Sequence, residues 1–383
     1  MENTIKDNDG KEHKHVSYKI TTDEKDIWSI VDNTNSQNTV EIAEPVYKYF
    51  TSEESVPSAE DNKGMDKQWY LKDQKLESVW SNEGYGNTAG EGVVVAVIDT
   101  GVDYNHEDLQ DNIWTNSAEV SGQKGTDDDN NGYVDDVHGI NLIDPNETPM
   151  DDHGHGTHVA GILAGDGTAS DRRYQGVAPG CHLVAAKVLD RRGNGRLQDV
   201  LRALQWISFN QNLYGIRIIN ISVGAAAMDS KAAARLIKAV EQAWDQGFVV
   251  VTAAGNMGPA YGSVTAPGSS KKVITVGASD MLDRISSVSG AGPTAECVCK
   301  PDLVAPGADV ISCANKRNSY AIKSGTSMST PRVSGAIALL LQKDPFLTNV
   351  EVKMLLRESC LDLGYPRNRQ GWGKLDIQKL LAL

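Results

Sequence analysis

Long apolar runs are missing from this 383-residue chain. None reaches the ~20 residues needed to cross a bilayer, so no membrane-spanning helix is expected. The opening residues, MENTIKDNDGKEHKHVSYK, hold no apolar core and do not read as a signal peptide. On that reading the chain is cytosolic, or it lacks its secretion signal. Cysteine is scarce: Cys181, Cys297, Cys299, Cys313 and Cys360 are odd in number and irregularly spaced. That excludes a disulfide framework and a zinc-finger signature. They read mostly as small buried apolar residues, with Cys297-x-Cys299 a faint hint of something more. Positive charge is short as well. Against 51 Asp and Glu stand 37 Lys and Arg, a net charge of −14. A protein that binds phosphate backbones needs a basic face, so nucleic acid is not expected as a main partner. The acidic balance fits solubility and cation binding. There is no internal repeat and no low-complexity tract.

What is present is ordinary for a globular protein, with 40% hydrophobic and 23% charged residues, except that 36 glycines imply many tight turns. Residues 1–66 stand apart as polar and poorly cored. Two β-like runs, HVSYKIT and TVEIAEPVYKYF, flank a possible short helix, DEKDIWSIVDN, and SEESVPSAEDNKG has linker composition. The chain therefore divides into an N-terminal segment over 1–66 and a main domain over 67–383. In the main domain, strand-length runs rich in Val and Ile recur at 93–99, 182–189, 216–223, 248–255 and 272–279. Continuous apolar runs of this length suit strands covered on both faces of a parallel sheet. Helical segments alternate with them: GTHVAGILAG, RLQDVLRALQWISFNQ, SKAAARLIKAVEQAWDQG and TPRVSGAIALLLQ. A capping box, Thr348 to Glu351, opens a last helix. Alternation of this kind predicts an α/β fold with right-handed crossovers.

Ligands of open α/β sheets bind beyond the carboxyl ends of the strands. There the chain places polar groups at a cost that asks for a reason. The run VVVAVID ends in Asp99, and FVVVTAAG ends at Asn256, whose amide could donate to a developing oxyanion. The segment DDHGHGTHVAG carries His153, His155 and His158. Its H-x-H-x-x-H spacing is not that of a helical zinc pair and no cysteine is near, so zinc is disfavoured. Gly154 and Gly156 turn the chain into a helix expected to begin near Thr157, with His155 at its start. The stretch SGTSMSTPRVSG contains Ser324, Ser327, Ser329 and Ser334. Alone it reads equally as a well-capped helix start with Pro331 in the first turn, or as the seat of a nucleophile.

The fragments VIDTGVDYNHEDL, HGHGTHVAGILAG, NISVG, AAGN and GTSMSTPRVSG, in this order, closely resemble the subtilisin-like serine proteases, the subtilases. The likeness covers roughly 68–383. It implies a subtilisin-like three-layer fold with a largely parallel central sheet and helices on both faces. It also implies a serine endopeptidase with Asp99, His155 and Ser327 as catalytic triad, Asn256 with the Ser327 N–H as oxyanion hole, and a polypeptide as substrate. The substrate would lie between Gly193–Gly195 and Ser222-Val223-Gly224, with Ala253, Ala254, Gly255 and the region of Thr265 to Pro267 lining the primary pocket. The Ala266–Pro267 bond is expected to be cis. Departures from the family pattern are Arg332 for histidine, Ser329 and Ser334 for alanine, and Ala225 for glycine, the last expected to narrow the groove. The TVEIAEPVYKYF run resembles the end of a subtilase propeptide. It implies that the chain's own N-terminal segment inhibits it and is cut off between about residues 50 and 67.

An acidic loop, GTDDDNNGYVDD, matches the first half of an EF-hand loop but lacks the closing Glu, since His138 stands at position twelve. Its candidate calcium ligands are Asp127, Asp129, Asn131, Tyr133, Asp135 and Asp136; Asp-rich insertions of this type occur in several subtilases. Asp108, in HEDL, matches a separate family calcium ligand, although the accompanying loop GDGTASDRRYQG is altered. Rival readings are a catalytically silent scaffold, a calcium-dependent binding module and a zymogen-locked processing protease. The intact triad argues against the first. A monomer is expected. The calcium loop leans towards an extracellular setting and the missing signal peptide leans the other way, so the compartment stays open.

Overall fold

The computed structural model describes residues 2–6, 12–16, 76–80, 88–224, 230–282, 288–316 and 318–383. The chain forms two compact units, Met1–Val46 and Tyr47–Leu383. In the first, β1 (Glu2–Lys6) and β2 (Glu12–Val16) make an antiparallel hairpin with Glu2 opposite Val16. The sequence reading began its first strand at residue 15, so it caught only the end of β2 and missed β1. The expected helix DEKDIWSIVDN, the strand TVEIAEPVYKYF, the linker and the cleavage window all lie outside the described residues.

Among the described residues, the second unit's first element is α1 (Leu76–Trp80), and the unit is built on a nine-stranded sheet. In chain order the elements are β3 (Val94–Asp99), α2 (Ser117–Ser121), β4 (Gly139–Asn141), α3 (His155–Ala164), β5 (His182–Lys187) and α4 (Leu197–Phe209). They continue with α5 (Gln211–Tyr214), β6 (Ile216–Ile221), α6 (Ser230–Asp245), β7 (Val249–Ala253), β8 (Ile274–Ala278) and β9 (Leu303–Ala305). Then follow the hairpin β10 (Val310–Ala314) and β11 (Ser319–Lys323), α7 (Thr326–Lys343), α8 (Asn349–Ser359), β12 (Cys360–Leu361), α9 (Arg367–Gln370), β13 (Lys374–Leu375) and α10 (Ile377–Ala382). The sheet order is β12-β13-β9-β8-β7-β6-β3-β5-β4, parallel throughout except at the β12–β13 edge.

All five Val/Ile-rich runs became central strands, and β3, β7 and β8 are buried along their whole length. Helices cover both faces, α3 against α7 and α4 against α6, which makes the three-layer α/β architecture. The strands missed in the main domain are β4, β9, β12 and β13, of two or three residues each, and the hairpin strands β10 and β11, the latter half-exposed. The first four hold too few residues for a period to register. The Thr348–Glu351 capping box is present at α8. Ala266–Pro267 is cis, as are Gly258–Pro259, Gly292–Pro293 and Lys300–Pro301. Among the described residues no helix is long and apolar enough to cross a membrane.

Helix α7 runs through the centre of the molecule, with every residue from Thr326 to Leu341 buried. It corrects one expectation. The helix begins at Thr326, so Pro331 sits in its second turn, inside the helix. Proline there removes the hydrogen bond to the carbonyl four residues back and is normally excluded. Burial of the helix on every side, with its apolar half from Ala336 to Leu341 in the core, outweighs that local cost.

Candidate active site

The site lies beyond the carboxyl ends of β3, β6 and β7, where α3 and α7 begin. Asp99 closes β3 and is fully buried. His155 is the first residue of α3, two residues earlier than expected, because Gly154 takes φ +100 and turns the chain sharply into the helix. The His155 Nδ1–H donates to Asp99 Oδ1 over 2.6 Å, and both side chains are out of solvent. The close approach of the two segments requires Gly156: a Cβ there would lie 2.0 Å from the Gly101 carbonyl oxygen and 3.1 Å from Asp99 Cβ.

A residue that the sequence reading did not single out holds this pair in place. The Asp151 carboxylate accepts from the N–H groups of His153 (2.9 Å), Gly154 (2.8 Å) and Thr157 (2.9 Å) and from the hydroxyls of Thr100 (2.9 Å) and Thr157 (2.5 Å). Thr100 Oγ1 in turn accepts from Gly156 N–H (2.9 Å), and Thr100 N–H donates to Asp99 Oδ1 (2.8 Å). One buried carboxylate thus caps α3 and ties it to the end of β3. Its only sequence signal was its place in the DDHGHGT run. The three histidines diverge. His158 is buried with Nε2 against the carbonyls of Val310 and Ala321, and burial, the largest cause, drives its pKa well down.

Ser327 stands second in α7. Its hydroxyl donates to the Ser222 carbonyl over 2.7 Å. No side chain caps the helix at Gly325. Instead the Asn256 Oδ1 accepts from Thr326 N–H (3.0 Å) and Thr326 Oγ1 (2.9 Å), which fixes the orientation of the amide. The remaining serines bind within the scaffold: Ser324 Oγ accepts from Asp309 N–H, Ser329 Oγ donates to Ala305 O, and Ser334 Oγ donates to Asn220 Oδ1. Asn220 Nδ2 donates to Ser222 Oγ (2.9 Å), so the end of β6 is linked to α7 from below. Arg332 is fully buried on α7. Near it, Asp280 has its pKa raised by burial, offset in part by the N–H groups of Gly307 and Ala308 and by the Arg332 charge.

The expected groove residues lie at or past the ends of β5, β6 and β7. Gly193 and Gly195 form a turn closed by an antiparallel bridge between Leu189 and Gly195. Ser222 and Val223 are buried at the end of β6, with the Val223 side chain in the core. Ala253 ends β7, and Ala254 and Gly255 follow it. Thr265 packs between two of these segments: a Cβ on Gly255 would lie 2.2 Å, and one on Gly224 2.9 Å, from its Oγ1. Ala225 lies outside the described residues.

The model of the subtilase family matches residues 90–373. The chain belongs to the subtilase family. It is 39% identical over 294 residues to the serine protease AprX of Bacillus subtilis (strain 168), covering 70% of this chain and 61% of that protein. To the thermophilic serine proteinase of Bacillus sp. (strain AK1) it is 32% identical over 356 residues, 93% of this chain and 75% of the relative. To the halolysin-like extracellular serine protease Nep of Natrialba magadii it is 34% identical over 347 residues, 90% of this chain and 56% of the relative. The chain thus spans about three fifths of AprX and little more than half of Nep.

The acidic loop of this subtilase divides its carboxylates into two sets. Asp129 and Asp136 come together with Glu119, which the sequence reading missed because it lies eight residues before the loop's first aspartate. One carboxylate oxygen from each lies within 4.8 Å of the others. Asn116 and Asn131 amides and the Tyr214 hydroxyl donate to both aspartates. Burial lifts Asp136 to about 6, against the hydrogen bonds from Asn131 and Asn116. The other set serves the backbone: Asp127 accepts from the N–H groups of Asn131 and Gly132, and Asp135 from Gly125 N–H. Tyr133 N–H donates to Asn131 Oδ1. Asp108 is remote from this loop and joins a different cluster, with His106 and Cys313.

Proposed function

We propose that the chain is a serine endopeptidase that cleaves polypeptides through an acyl-enzyme, with Ser327 as nucleophile, His155 as general base and acid, and Asp99 as its partner. The observation that carries this reading is the buried 2.6 Å bond from His155 Nδ1 to Asp99 Oδ1 at the start of α3, with Ser327 at the head of α7, the helix that packs against α3. The bond holds the proton on Nδ1, which leaves Nε2 as the basic nitrogen. The Ser327 hydroxyl proton, now directed at Ser222 O, passes to His155 Nε2 as Oγ attacks the scissile carbonyl. Asp99 stabilises the imidazolium, which then protonates the leaving amine. A water repeats the sequence and releases the acid. The oxyanion is met by the Asn256 amide and the Ser327 N–H, at the positive end of α7. Substrate lies extended between Gly193–Gly195 and Ser222–Gly224 and pairs with their backbones.

The residues of the acidic loop fit calcium. Glu119, Asp129 and Asp136 offer hard carboxylate oxygens, and burial, with the nearby Asp129 charge, raises Asp136. A bound calcium would supply positive charge there and stiffen the turn. The N-terminal segment, 1–66, is read as an inhibitory arm that is removed between about residues 50 and 67, on its resemblance to a propeptide end. The catalytic domain is 67–383 and acts as a monomer.

A fluorophosphonate probe tests the activity, with wild type beside Ser327→Ala, with and without calcium. Labelling that vanishes in the variant is expected. Labelling only after limited cleavage between residues 50 and 67 would mean an inhibited zymogen. No labelling in any state would leave a silent scaffold.

A further inference from the structure

One buried cluster takes no part in the proposed reaction or in the acidic loop. A ring nitrogen of His106, a carboxylate oxygen of Asp108 and Cys313 Sγ lie within 4.8 Å of one another, all three residues buried. They come from two distant stretches, the segment that follows β3 and the strand β10. Tyr320, across the hairpin on β11, donates its hydroxyl to Asp108 Oδ2 over 2.7 Å. Cys313 Sγ approaches the same oxygen at 3.8 Å, and Ala169 N–H donates to Asp108 Oδ1 at 2.6 Å.

The family likeness assigns calcium to Asp108, but these donors do not fit calcium. That ion takes six to eight oxygen ligands, whereas sulfur and imidazole favour softer divalent ions. The histidine supplies a second, independent pointer. His106 Nε2 meets the Ser319 carbonyl at 3.1 Å and can only donate to it. Nδ1 therefore carries the ring's lone pair, which accepts from Asp108 N–H at 3.1 Å and would be given over to a metal ion. Metal-bound histidines are typically set this way, with the distal N–H tied to a backbone carbonyl.

We propose that His106, Asp108 and Cys313 form a buried site for a borderline divalent metal ion of the zinc class, with the Tyr320 oxygen beside it, in place of calcium at Asp108. On binding, Cys313 loses its thiol proton to solvent and forms the sulfur–metal bond. The Cys313–Asp108 contact becomes shared ligation of one ion. Ligand atoms around tetrahedral zinc lie roughly 3–4 Å apart, so the cluster contracts by at most about 1–2 Å. The site links the segment after Asp99 to the β10–β11 hairpin, whose last residue, Lys323, lies three residues before α7. A metal here therefore braces the strand that bears Asp99 against the approach to Ser327.

The test uses the full chain produced in zinc-depleted, cobalt-supplemented medium with calcium in excess, because a buried site fills as the chain folds. About one cobalt per chain is expected, with the charge-transfer absorption of a cobalt–thiolate bond. Both fall at least tenfold in Cys313→Ser, the scale on which ligand-shell changes act. They persist in the double variant Cys297→Ser, Cys299→Ser, whose thiols are exposed. Should Cys313→Ser fail to fold, His106→Gln keeps the thiol and is expected to lose the metal. A chain free of cobalt, or a thiolate band that survives Cys313→Ser or disappears with the exposed pair, overturns the proposal. None of these readouts depends on protease activity.

Discussion

Asn256 and Thr326 are joined by two hydrogen bonds to one oxygen: the Asn256 carbonyl accepts from both the N–H and the hydroxyl of Thr326. The amide that is proposed to meet the oxyanion is thereby oriented by the residue before the proposed nucleophile. Asn256→Ala removes the donor and also one of the groups that satisfy the start of α7. Turnover is expected to fall with KM little changed. The loss known for the corresponding amide of subtilisin, about 10²–10³, sets the scale. Steady-state kinetics on a peptide ester check it; an unchanged kcat would remove Asn256 from the oxyanion hole.

Asp151 is predicted to be a positioning residue. Replacing it by Ala strips acceptors from three N–H groups and two hydroxyls around His155. Buried donors left unsatisfied cost about 1–3 kcal/mol each. A stability loss of at least about 2 kcal/mol is expected in denaturant unfolding. The fall in kcat should exceed any change in KM, and Asp151→Asn should recover only part of it.

Thr265 fills the space between Gly224 and Gly255. Small residues before the cut are therefore expected to be preferred. Thr265→Gly opens the pocket, and kcat/KM for a substrate with a bulky apolar residue there should rise at least tenfold, the effect of about one or two methylenes in a pocket. Competition between Ala and Phe substrates reads the change directly.

Calcium should raise the melting temperature by several degrees, since an ion that binds only the folded state adds about 2.7 kcal/mol at a hundred times its Kd. The shift should disappear in Asp136→Asn and in Glu119→Gln and persist in Asp108→Asn. Differential scanning calorimetry with and without chelator separates the three.

Lys300 is fully buried, with its Nζ on the Val273 carbonyl (2.9 Å), Thr275 Oγ1 (2.9 Å) and Asp302 Oδ2 (2.6 Å). Burial, the largest cause, brings its pKa down to about 8 from 10.5. Between those values the unfolded chain holds the proton that the folded chain has released, so stability rises with pH across this window. Relative to Lys300→Met, the wild type should gain on the order of 3 kcal/mol between pH 8 and 10.5. A pH-independent difference between the two in urea unfolding would contradict it.

Much of the fold was legible because it rests on short-range pattern. Runs such as VVVAVID and FVVVTAAG have the length and Val/Ile content of strands buried on both faces, and the Thr348–Glu351 capping box is spelled out within four residues. Asp99, His155, Asn256 and Ser327 were legible as costly polar residues at the ends of apolar segments and through the family motifs around them. Asp151 and Glu119 were not, because what distinguishes them is the set of N–H groups they meet, and those are supplied by the fold.

The amino-acid sequence by itself determined the alternation of strands and helices, the parallel sheet and the family, since apolar periodicity and local motifs are properties of neighbouring residues. Only the tertiary structure decided that α7 runs unbroken through Pro331, because burial on every side outweighs a missing hydrogen bond. It alone brought His106 and Asp108 to Cys313, about two hundred residues away, where the donor atoms favour a softer metal than calcium. It alone set Thr265 between two glycines. Contacts between distant segments depend on how the layers pack, and no local pattern of residues encodes that distance.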